Sequence, residues 1–303
     1  MRLVTFSSHD DPSQRRLGLL TAGGVIDVEL VSGGAGPGSM LDLLVAGPNA
    51  LAAVRGLDGA PALPLDMVRL QAPLPNPLQF RDFMAFERHV QNARARRGRD
   101  VPPEWYQAPV FYFSNNNSIR GPEDRVWAPP GCEALDLECE VGVVIGLDGS
   151  DIPVERAFDH VAGLCLLNDW SARDLQVAEM AVGLGPAKAK DFATSIGPWL
   201  VTFDELKERV EGMHVHLEVT ARVNGQELTR GNLDQIHFSI PELIAHASRG
   251  VRLRAGELIG TGTFGGGSLL EHADAGWLQA GDVIELEADV LGVLRTEVVS
   301  APA

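Results

Sequence analysis

The chain has 303 residues, of which 45% are hydrophobic and 22% are charged, so it can bury a sizeable core. Its 41 acidic and 25 basic residues give a formal net charge of −16, which argues against nucleic acid as a partner. The sequence has no apolar run of about 18 residues and no signal-like N-terminus. Its three irregularly spaced cysteines fit neither a disulfide framework nor a zinc motif. We therefore expect a cytoplasmic protein without a membrane span.

The predicted elements are mostly strands. In chain order, the strand-like segments are Arg2–Phe6, Val25–Val28, Val141–Gly146, Val161–Leu167 and a terminal hairpin over residues 283–299, and the helical segments are Ala50–Val54, Phe83–Arg97 and Ile240–Ser248. The strand-like segments are rich in Val and Ile. Pro241 at a first helical position supports the last helix. The sequence thus predicts an α+β fold that is mainly β.

Alternate prolines interrupt the chain after its first quarter. Pro73, Pro75 and Pro77 exclude regular structure locally, and such stretches commonly mark a linker. We place a domain boundary there. A small β-rich N-terminal domain is expected over residues 1–72 and a larger domain over residues 73–303.

Two glutamates begin the apolar strand at Val141. Residues two apart in a strand point to the same face, so Glu138 and Glu140 would project side by side. Each would raise the pKa of the other unless a cation intervened. Such a pair has two possible explanations, which are a solvated strand end and a bound metal ion.

Two further acids stand at element boundaries. Asp169 ends the apolar run Val161–Leu167, and Asp82 precedes the predicted helix that contains His89. Either aspartate could instead cap a helix, and for Asp169 that helix would start at Trp170. Taken with the two glutamates, they supply oxygen ligands without cysteine or clustered histidine, which suits Mg²⁺, Mn²⁺ or Ca²⁺ better than Zn²⁺.

The order of these motifs is similar to that of the fumarylacetoacetate hydrolase family. The shared pattern runs Asp82, His89, PVFYF, ECE, NDWSARDLQ, KDF and GTGT, and it covers roughly three quarters of the chain from Pro73 onward. The resemblance implies a catalytic domain with a mixed β-sandwich roll, a small N-terminal β-rich domain and a homodimer. It also implies substrates that are β-diketo acids, 2-oxo acids or their enols.

The resemblance implies roles for individual residues. The implied ligands of a divalent ion, Mg²⁺ first and Mn²⁺ or Ca²⁺ next, are Asp82, Glu138, Glu140 and Asp169. His89 would activate water with Glu271 as its acidic partner, and Lys190 would face the developing enolate. The implied substrate contacts are Tyr112, Arg173, Gln176 and Thr263.

Some positions leave alternatives open. Met84 stands where some family members have a tyrosine, so the fumarylacetoacetate substrate itself is not assured. Lys188 lies two residues from Lys190 and could take its place, and Cys139 should face away from the metal. The basic run at Ala93–Arg99 is either a solvated helix end or part of a lid that attracts an anionic substrate.

The sequence favours a metal-dependent hydrolase that cleaves a carbon–carbon bond in a β-diketo acid, as in aromatic catabolism. A decarboxylase of 2-oxo acids, or an isomerase or hydratase, could use the same site. A non-catalytic metal-stabilised scaffold is a third hypothesis. The presence of His89, Lys190 and Glu271 argues against a scaffold, because a structural metal site requires none of them.

Overall fold

Strands dominate the architecture of residues 1–302, which are those that the computed structural model describes. The strands are β1 (Arg2–Ser8), β2 (Arg16–Thr21), β3 (Gly24–Asp27), β4 (Val68–Gln71), β5 (Phe80–Phe83), β6 (Phe111–Phe113), β7 (Ile119–Arg120), β8 (Leu135–Asp136), β9 (Cys139–Ile145), β10 (Gly149–Ser150), β11 (Val161–Asp169), β12 (Ser171–Ala172), β13 (Thr194–Thr202), β14 (Val210–Glu211), β15 (His214–Val215), β16 (Glu218–Val223), β17 (Gln226–Asn232), β18 (Arg252–Leu253), β19 (Leu258–Gly260), β20 (Val283–Ala288) and β21 (Gly292–Glu297). The α-helices are α1 (Val28–Val31), α2 (Met40–Ala46), α3 (Pro48–Arg55), α4 (Glu87–Ala95), α5 (Arg173–Ala181) and α6 (Ile240–Ser248). The predicted α+β, mainly β class is confirmed. Within residues 1–302, no helix is both long and apolar enough to cross a membrane.

One large sheet organises the molecule. Its strands follow the order β3-β2-β1-β13-β11-β9-β19-β5-β6, with β4 also paired to β1 and β7 to β13. A second sheet has the order β17-β16-β20-β21. Because β1 pairs with β13, the N-terminal strands extend the sheet that contains the central strands. The domain boundary between residues 72 and 73 stays a prediction.

Both faces of the large sheet are buried. Val143 and Leu166 belong to a core shared with the second sheet, whose strands β20 and β21 lie against β11 and β13. Val144 and Leu167 belong to the core on the opposite face, which α2 and α3 cover. Burial on both faces explains why these strands are continuous apolar runs in the sequence instead of alternating patterns.

Two predicted helices start later than the sequence indicated. Asp82 lies within β5, and the helix predicted from Phe83 begins at Glu87. Asp169 ends β11, and the helix predicted from Trp170 begins at Arg173 with Ala172 as its N-cap. The capping explanation is therefore wrong for both aspartates, which frees their carboxylates for another role. The third predicted helix is confirmed as α6.

Substitution of Gly163 by alanine should lower the melting temperature clearly. A Cβ atom at this position in β11 would lie 2.1 Å from the Val201 carbonyl oxygen, so β11 and β13 would have to separate. Overpacking of this kind costs about 1–3 kcal/mol. Gly276→Ala is the matched control, since a Cβ there would meet no atom within 4 Å. Equal melting temperatures of the two variants in a thermal scan would contradict this account of β11.

Candidate metal centre and active site

Three strands of the large sheet, β11 and its neighbour β9 together with β5 beyond β19, bring three buried carboxylates together. Asp82 lies on β5, Glu140 on β9 and Asp169 at the end of β11, and one oxygen from each lies within 4.8 Å of the others. We call these three residues the carboxylate cluster. All three side chains are almost fully excluded from solvent. Strand pairing, and not proximity in sequence, thus creates the concentration of negative charge.

A glycine makes room for the carboxylate cluster. Gly260 on β19 lies opposite Asp82 on one side and Gly142 on the other. A Cβ atom at position 260 would lie 2.4 Å from Asp82 Oδ1 and 3.0 Å from Glu140 Oε2. Any side chain at position 260 would occupy the space between the two carboxylates. The glycine therefore contributes to the site by leaving this space open.

The carboxylate cluster has the properties of a site for a hard cation. Burial, followed by the charge of Asp169, raises the pKa of Asp82 well above its usual value. Burial and the charge of Asp82 do the same to the pKa of Glu140. Both carboxylate oxygens of Asp82 and Oδ1 of Asp169 are buried without a hydrogen-bond partner. Buried, unpartnered oxygens of this kind fit a divalent ion such as Mg²⁺ or Mn²⁺.

Glu138 lies beside the carboxylate cluster and not within it. Its carboxylate accepts a hydrogen bond of 2.7 Å from Arg173 Nη2 and another from Lys190 Nζ. Burial alone would raise the pKa of Glu138, but the charges of Arg173 and Lys190 outweigh burial and hold the pKa below its usual value. Of the four ligands predicted from the sequence, three therefore form the carboxylate cluster. The fourth, Glu138, is bound to the side chains of Arg173 and Lys190.

Lys190, and not Lys188, lies in the site. Its ammonium group is buried and donates to both Asp169 and Glu138. Burial opposes the charged form, but the two carboxylates prevail and raise the pKa of Lys190. Lys188 is exposed and paired with Asp191. The lysine therefore supplies a fixed positive charge at the edge of the carboxylate cluster.

Tyr112 and Thr263 also contact the cluster. The Tyr112 hydroxyl donates to Asp169 Oδ2 at 2.6 Å, and burial followed by the charge of Asp169 raises its pKa. Thr263 Oγ1 lies 3.3 Å from Glu140 Oε1, to which it donates. Cys139 points to the opposite side of β9, into the core, as the sequence predicted.

A histidine and a glutamate form a hydrogen-bonded pair beside Glu138. His89 Nδ1 lies 2.7 Å from Glu271 Oε1, and His89 Nε2 lies 3.9 Å from Glu138 Oε1. Glu271 also accepts hydrogen bonds from the Asn92 side chain and the Gly266 amide. Burial would raise the pKa of Glu271, but the His89 hydrogen bond and its companions lower it. The carboxylate can therefore hold a proton on Nδ1 and leave Nε2 free to accept one.

The cavity above these residues measures about 310 Å³. Its lining includes His89, Arg173, Gln176, Lys190 and Thr263 from the predicted set. The Arg173 guanidinium also donates to Gln176 Oε1 at 3.2 Å, which joins the two predicted substrate contacts. The cavity is therefore polar at its floor.

The rim of the cavity is mainly apolar and contains one arginine. Met84, Val110, Met180 and Pro186 line it together with Arg97. Desolvation, followed by the positive charge of Arg173, lowers the pKa of Arg97. The other charges that lower this pKa are those of Arg99 and Arg94, and the arginine side chain lines the cavity, where a guanidinium suits an anionic group.

The sequence did not single out two residues that the structure places at the site, Arg97 and Asn92. Arg97 was present only as a member of the basic run Ala93–Arg99. Asn92, which donates to Glu271 at 2.8 Å, follows His89 by three residues and so lies on the same helical face. The helical spacing from His89 was a usable signal for Asn92, whereas nothing in the basic run distinguished Arg97 from its neighbours.

Comparison with known proteins gives a consistent set of matches. The C-terminal domain model of fumarylacetoacetate (FAA) hydrolase matches residues 79–299. The mitochondrial oxaloacetate tautomerase fahd2 of Xenopus laevis is 33% identical over 302 residues, which cover 99% of this chain and 90% of the relative.

Two solved structures are similar along their whole length. Fumarylacetoacetate hydrolase from Exiguobacterium antarcticum has a TM-score of 0.76 at 28% identity, with 99% of this chain and 100% of that chain covered. Maleylpyruvate hydrolase from Sphingobium sp. SYK-6, in complex with manganese (II) ion and pyruvate, has a TM-score of 0.75 at 25% identity, with 100% of both chains covered.

Addition of Mg²⁺ or Mn²⁺ should raise the melting temperature of the protein, and Asp82→Asn should abolish the increase. An ion at 100 times its dissociation constant stabilises the native state by about 2.7 kcal/mol. Asp289→Asn, which alters an exposed acid paired with Arg209, is the control that keeps the increase. A cation-dependent increase that persists in Asp82→Asn would place the ion elsewhere.

Proposed function

Because this chain belongs to the fumarylacetoacetate hydrolase family, we propose that it is a metal-dependent hydrolase that cleaves a carbon–carbon bond in a β-diketo acid. The substrate would be an acylpyruvate, or a compound like fumarylpyruvate or fumarylacetoacetate. The observation that carries this proposal is the pair formed by His89 and Glu271 at 2.7 Å, with His89 Nε2 directed toward the site. Hydrolysis requires such a base for water.

Asp82, Glu140 and Asp169 would hold the divalent ion, and Glu138 remains the predicted fourth ligand. Mg²⁺ is the first expectation, and Mn²⁺ is a close alternative because the similar maleylpyruvate hydrolase was solved with manganese (II). When bound, the ion would supply Lewis acidity that polarises the substrate oxygens and a template that orients them.

The water-activating step follows from the His89 environment. With Glu271 holding a proton on Nδ1, His89 Nε2 can take a proton from water as the water oxygen attacks the distal carbonyl carbon of the substrate. Glu271 stabilises the imidazolium that forms, as the acid of a Ser-His-Asp triad does. The adjacent carbon–carbon bond then breaks, and its electron pair passes into the pyruvate enolate.

Lys190 provides a positive charge that stabilises the enolate formed when the carbon–carbon bond breaks. Its buried ammonium group remains protonated beside Glu138 and Asp169, so a positive charge is in place before the enolate develops. Fixed charge in a desolvated site is often the largest contribution to catalysis. Return of a proton to the enolate carbon yields pyruvate and a carboxylic acid, which balances the water consumed.

Recognition of the substrate would use the rest of the cavity. Tyr112, Arg173, Gln176 and Thr263 are the proposed polar contacts. Arg97 at the rim would attract a small anionic keto acid to a chain whose net charge is −16. We also propose, as the sequence suggested, a homodimer in the cytoplasm that binds neither nucleic acid nor membrane.

Tautomerisation is a second candidate for the same site. The relative that is 33% identical along nearly the whole chain bears the name oxaloacetate tautomerase. Exchange between keto and enol forms needs an enolate stabiliser and a proton carrier, and Lys190 with His89 could serve. A 2-oxo acid decarboxylase or a hydratase would draw on the same groups.

A substrate panel with His89→Gln separates the candidates. We expect the unaltered enzyme to hydrolyse an acylpyruvate and to lose this activity with EDTA. In His89→Gln, kcat for hydrolysis should fall by about 10²–10⁴-fold because water loses its base. His160→Gln, at a partly exposed histidine bound to the Leu147 carbonyl, is the control. Oxaloacetate tautomerisation without acylpyruvate hydrolysis in the unaltered enzyme would replace the hydrolase proposal by the tautomerase one.

Arg97→Gln should raise KM for an anionic acylpyruvate by roughly 5- to 30-fold, with kcat nearly unchanged, since the lost attraction is about 1–2 kcal/mol. Arg96→Gln is the matched control, because Arg96 approaches the Ala273 carbonyl at 3.5 Å and not the cavity. Steady-state kinetics over a range of substrate concentrations measures both constants. An equal KM in the two variants would exclude the rim arginine from recognition.

A further inference from the structure

A further buried aspartate lies behind the active site. Asp136 on β8 is completely excluded from solvent and, within residues 1–302, none of its hydrogen bonds goes to the carboxylate cluster. Its Oδ1 accepts hydrogen bonds from the amides of Leu137 and Leu269 at 2.8 and 2.7 Å. Its Oδ2 accepts from Arg173 Nε at 2.7 Å and from the Leu270 amide at 3.1 Å. Both oxygens are thus bound to donors on separate parts of the chain.

One of these connections leads to Glu138. The Arg173 guanidinium that Asp136 holds through Nε donates to Glu138 Oε1 through Nη2 at 2.7 Å. A guanidinium is planar and rigid, so fixing one edge fixes the direction of the other. Asp136 therefore determines where Arg173 holds the Glu138 carboxylate, whose Oε1 is 3.9 Å from His89 Nε2.

The other connection leads to Glu271. The amides of Leu269 and Leu270 belong to the short 3-10 helix Leu269–Glu271, which ends at the partner of His89. Two hydrogen bonds from this helix to Asp136 fix its position relative to β8. The carboxylate on each side of the His89 ring is thus linked to the same buried side chain.

We propose that Asp136 is a positioning residue that sets the two carboxylates around His89, Glu271 at Nδ1 and Glu138 at Nε2. It acts through the Leu269–Glu271 helix on one side and through Arg173 on the other. This inference rests on the role proposed for His89 as the base. A base must be held within a fraction of an ångström of its productive position, and groups behind the site commonly supply that precision.

The test is Asp136→Asn, which keeps the size of the side chain but replaces one acceptor oxygen by a donor. The new NH₂ group would oppose either the Arg173 Nε–H or the amides of the 3-10 helix. We expect kcat for acylpyruvate hydrolysis to fall about 10- to 100-fold. Asp27→Asn is the matched control, since Asp27 is a buried partner of Arg16 far along the sheet.

A spectroscopic measurement distinguishes positioning from general destabilisation. In magnesium-containing buffer, the proton that His89 Nδ1 shares with Glu271 should give a downfield ¹H resonance, assigned by its loss in His89→Gln. We expect this resonance to weaken or disappear in Asp136→Asn and to remain in Asp27→Asn. A resonance and a kcat in Asp136→Asn that both match the unaltered protein would overturn the proposal.

Arg173→Lys separates the two connections and serves also if Asp136→Asn does not fold. This variant removes the connection to Glu138 but leaves the amides of Leu269 and Leu270 on Asp136, so we expect a reduced kcat with the resonance retained. Loss of the resonance in Arg173→Lys would contradict the claim that Asp136 acts on Glu138 and on Glu271 through two independent connections. If the unaltered protein hydrolyses no acylpyruvate, the proposed function fails, while the resonance still decides whether Asp136 positions His89.

Discussion

The active site is built around carboxylates that the fold removes from water. Asp82, Glu140 and Asp169 lie within 4.8 Å of one another at the ends of buried strands, and their mutual repulsion opposes the folded structure. Among the side chains of residues 1–302, only Lys190 donates to a member of this cluster as a cation. The surrounding residues reflect this excess of negative charge. Gly260 leaves space between the carboxylates, and Tyr112 and Thr263 donate hydrogen bonds to them. Both carboxylate oxygens of Asp82 have no hydrogen-bond partner within residues 1–302. A divalent ion would relieve the repulsion and explain these features together.

Positive charge is unevenly distributed among the buried carboxylates of the site. On one side the carboxylates are short of cations, and on the other Glu138 is bound to both Arg173 and Lys190. The pKa values of Asp82 and Glu138 therefore move in opposite directions although both side chains are buried. Such divergence among neighbouring acids is typical of catalytic sites, because different protonation states are then available within a few ångströms.

Much of this site was accessible from the sequence because its residues occupy regular positions in strands. The spacing of Glu138 and Glu140 and the positions of Asp82 and Asp169 at element boundaries made a hard-cation site one plausible interpretation, and the family resemblance supplied the partners distant in sequence. The sequence did not predict that Glu138 would lie outside the cluster and bind two cations. This arrangement depends on Arg173 of α5 and on Lys190 of the loop that follows α5. Similarly, the starts of α4 and α5 were misplaced because strand pairing extends β5 and β11 further than local propensity indicates.

The carboxylate cluster and the cavity rim belong to structurally different parts of the molecule. The three carboxylates lie on strands whose two faces are packed into separate cores, so any shift there disturbs packing on both sides. Met84, Arg97 and Met180 instead lie on a loop, after a helix end and on α5, at the cavity mouth. The fold thus separates the proposed reactive centre from the residues proposed to select the substrate. Under that proposal, substitutions at the mouth would change substrate preference without disturbing the buried carboxylates, which would make this architecture a favourable scaffold for redesign.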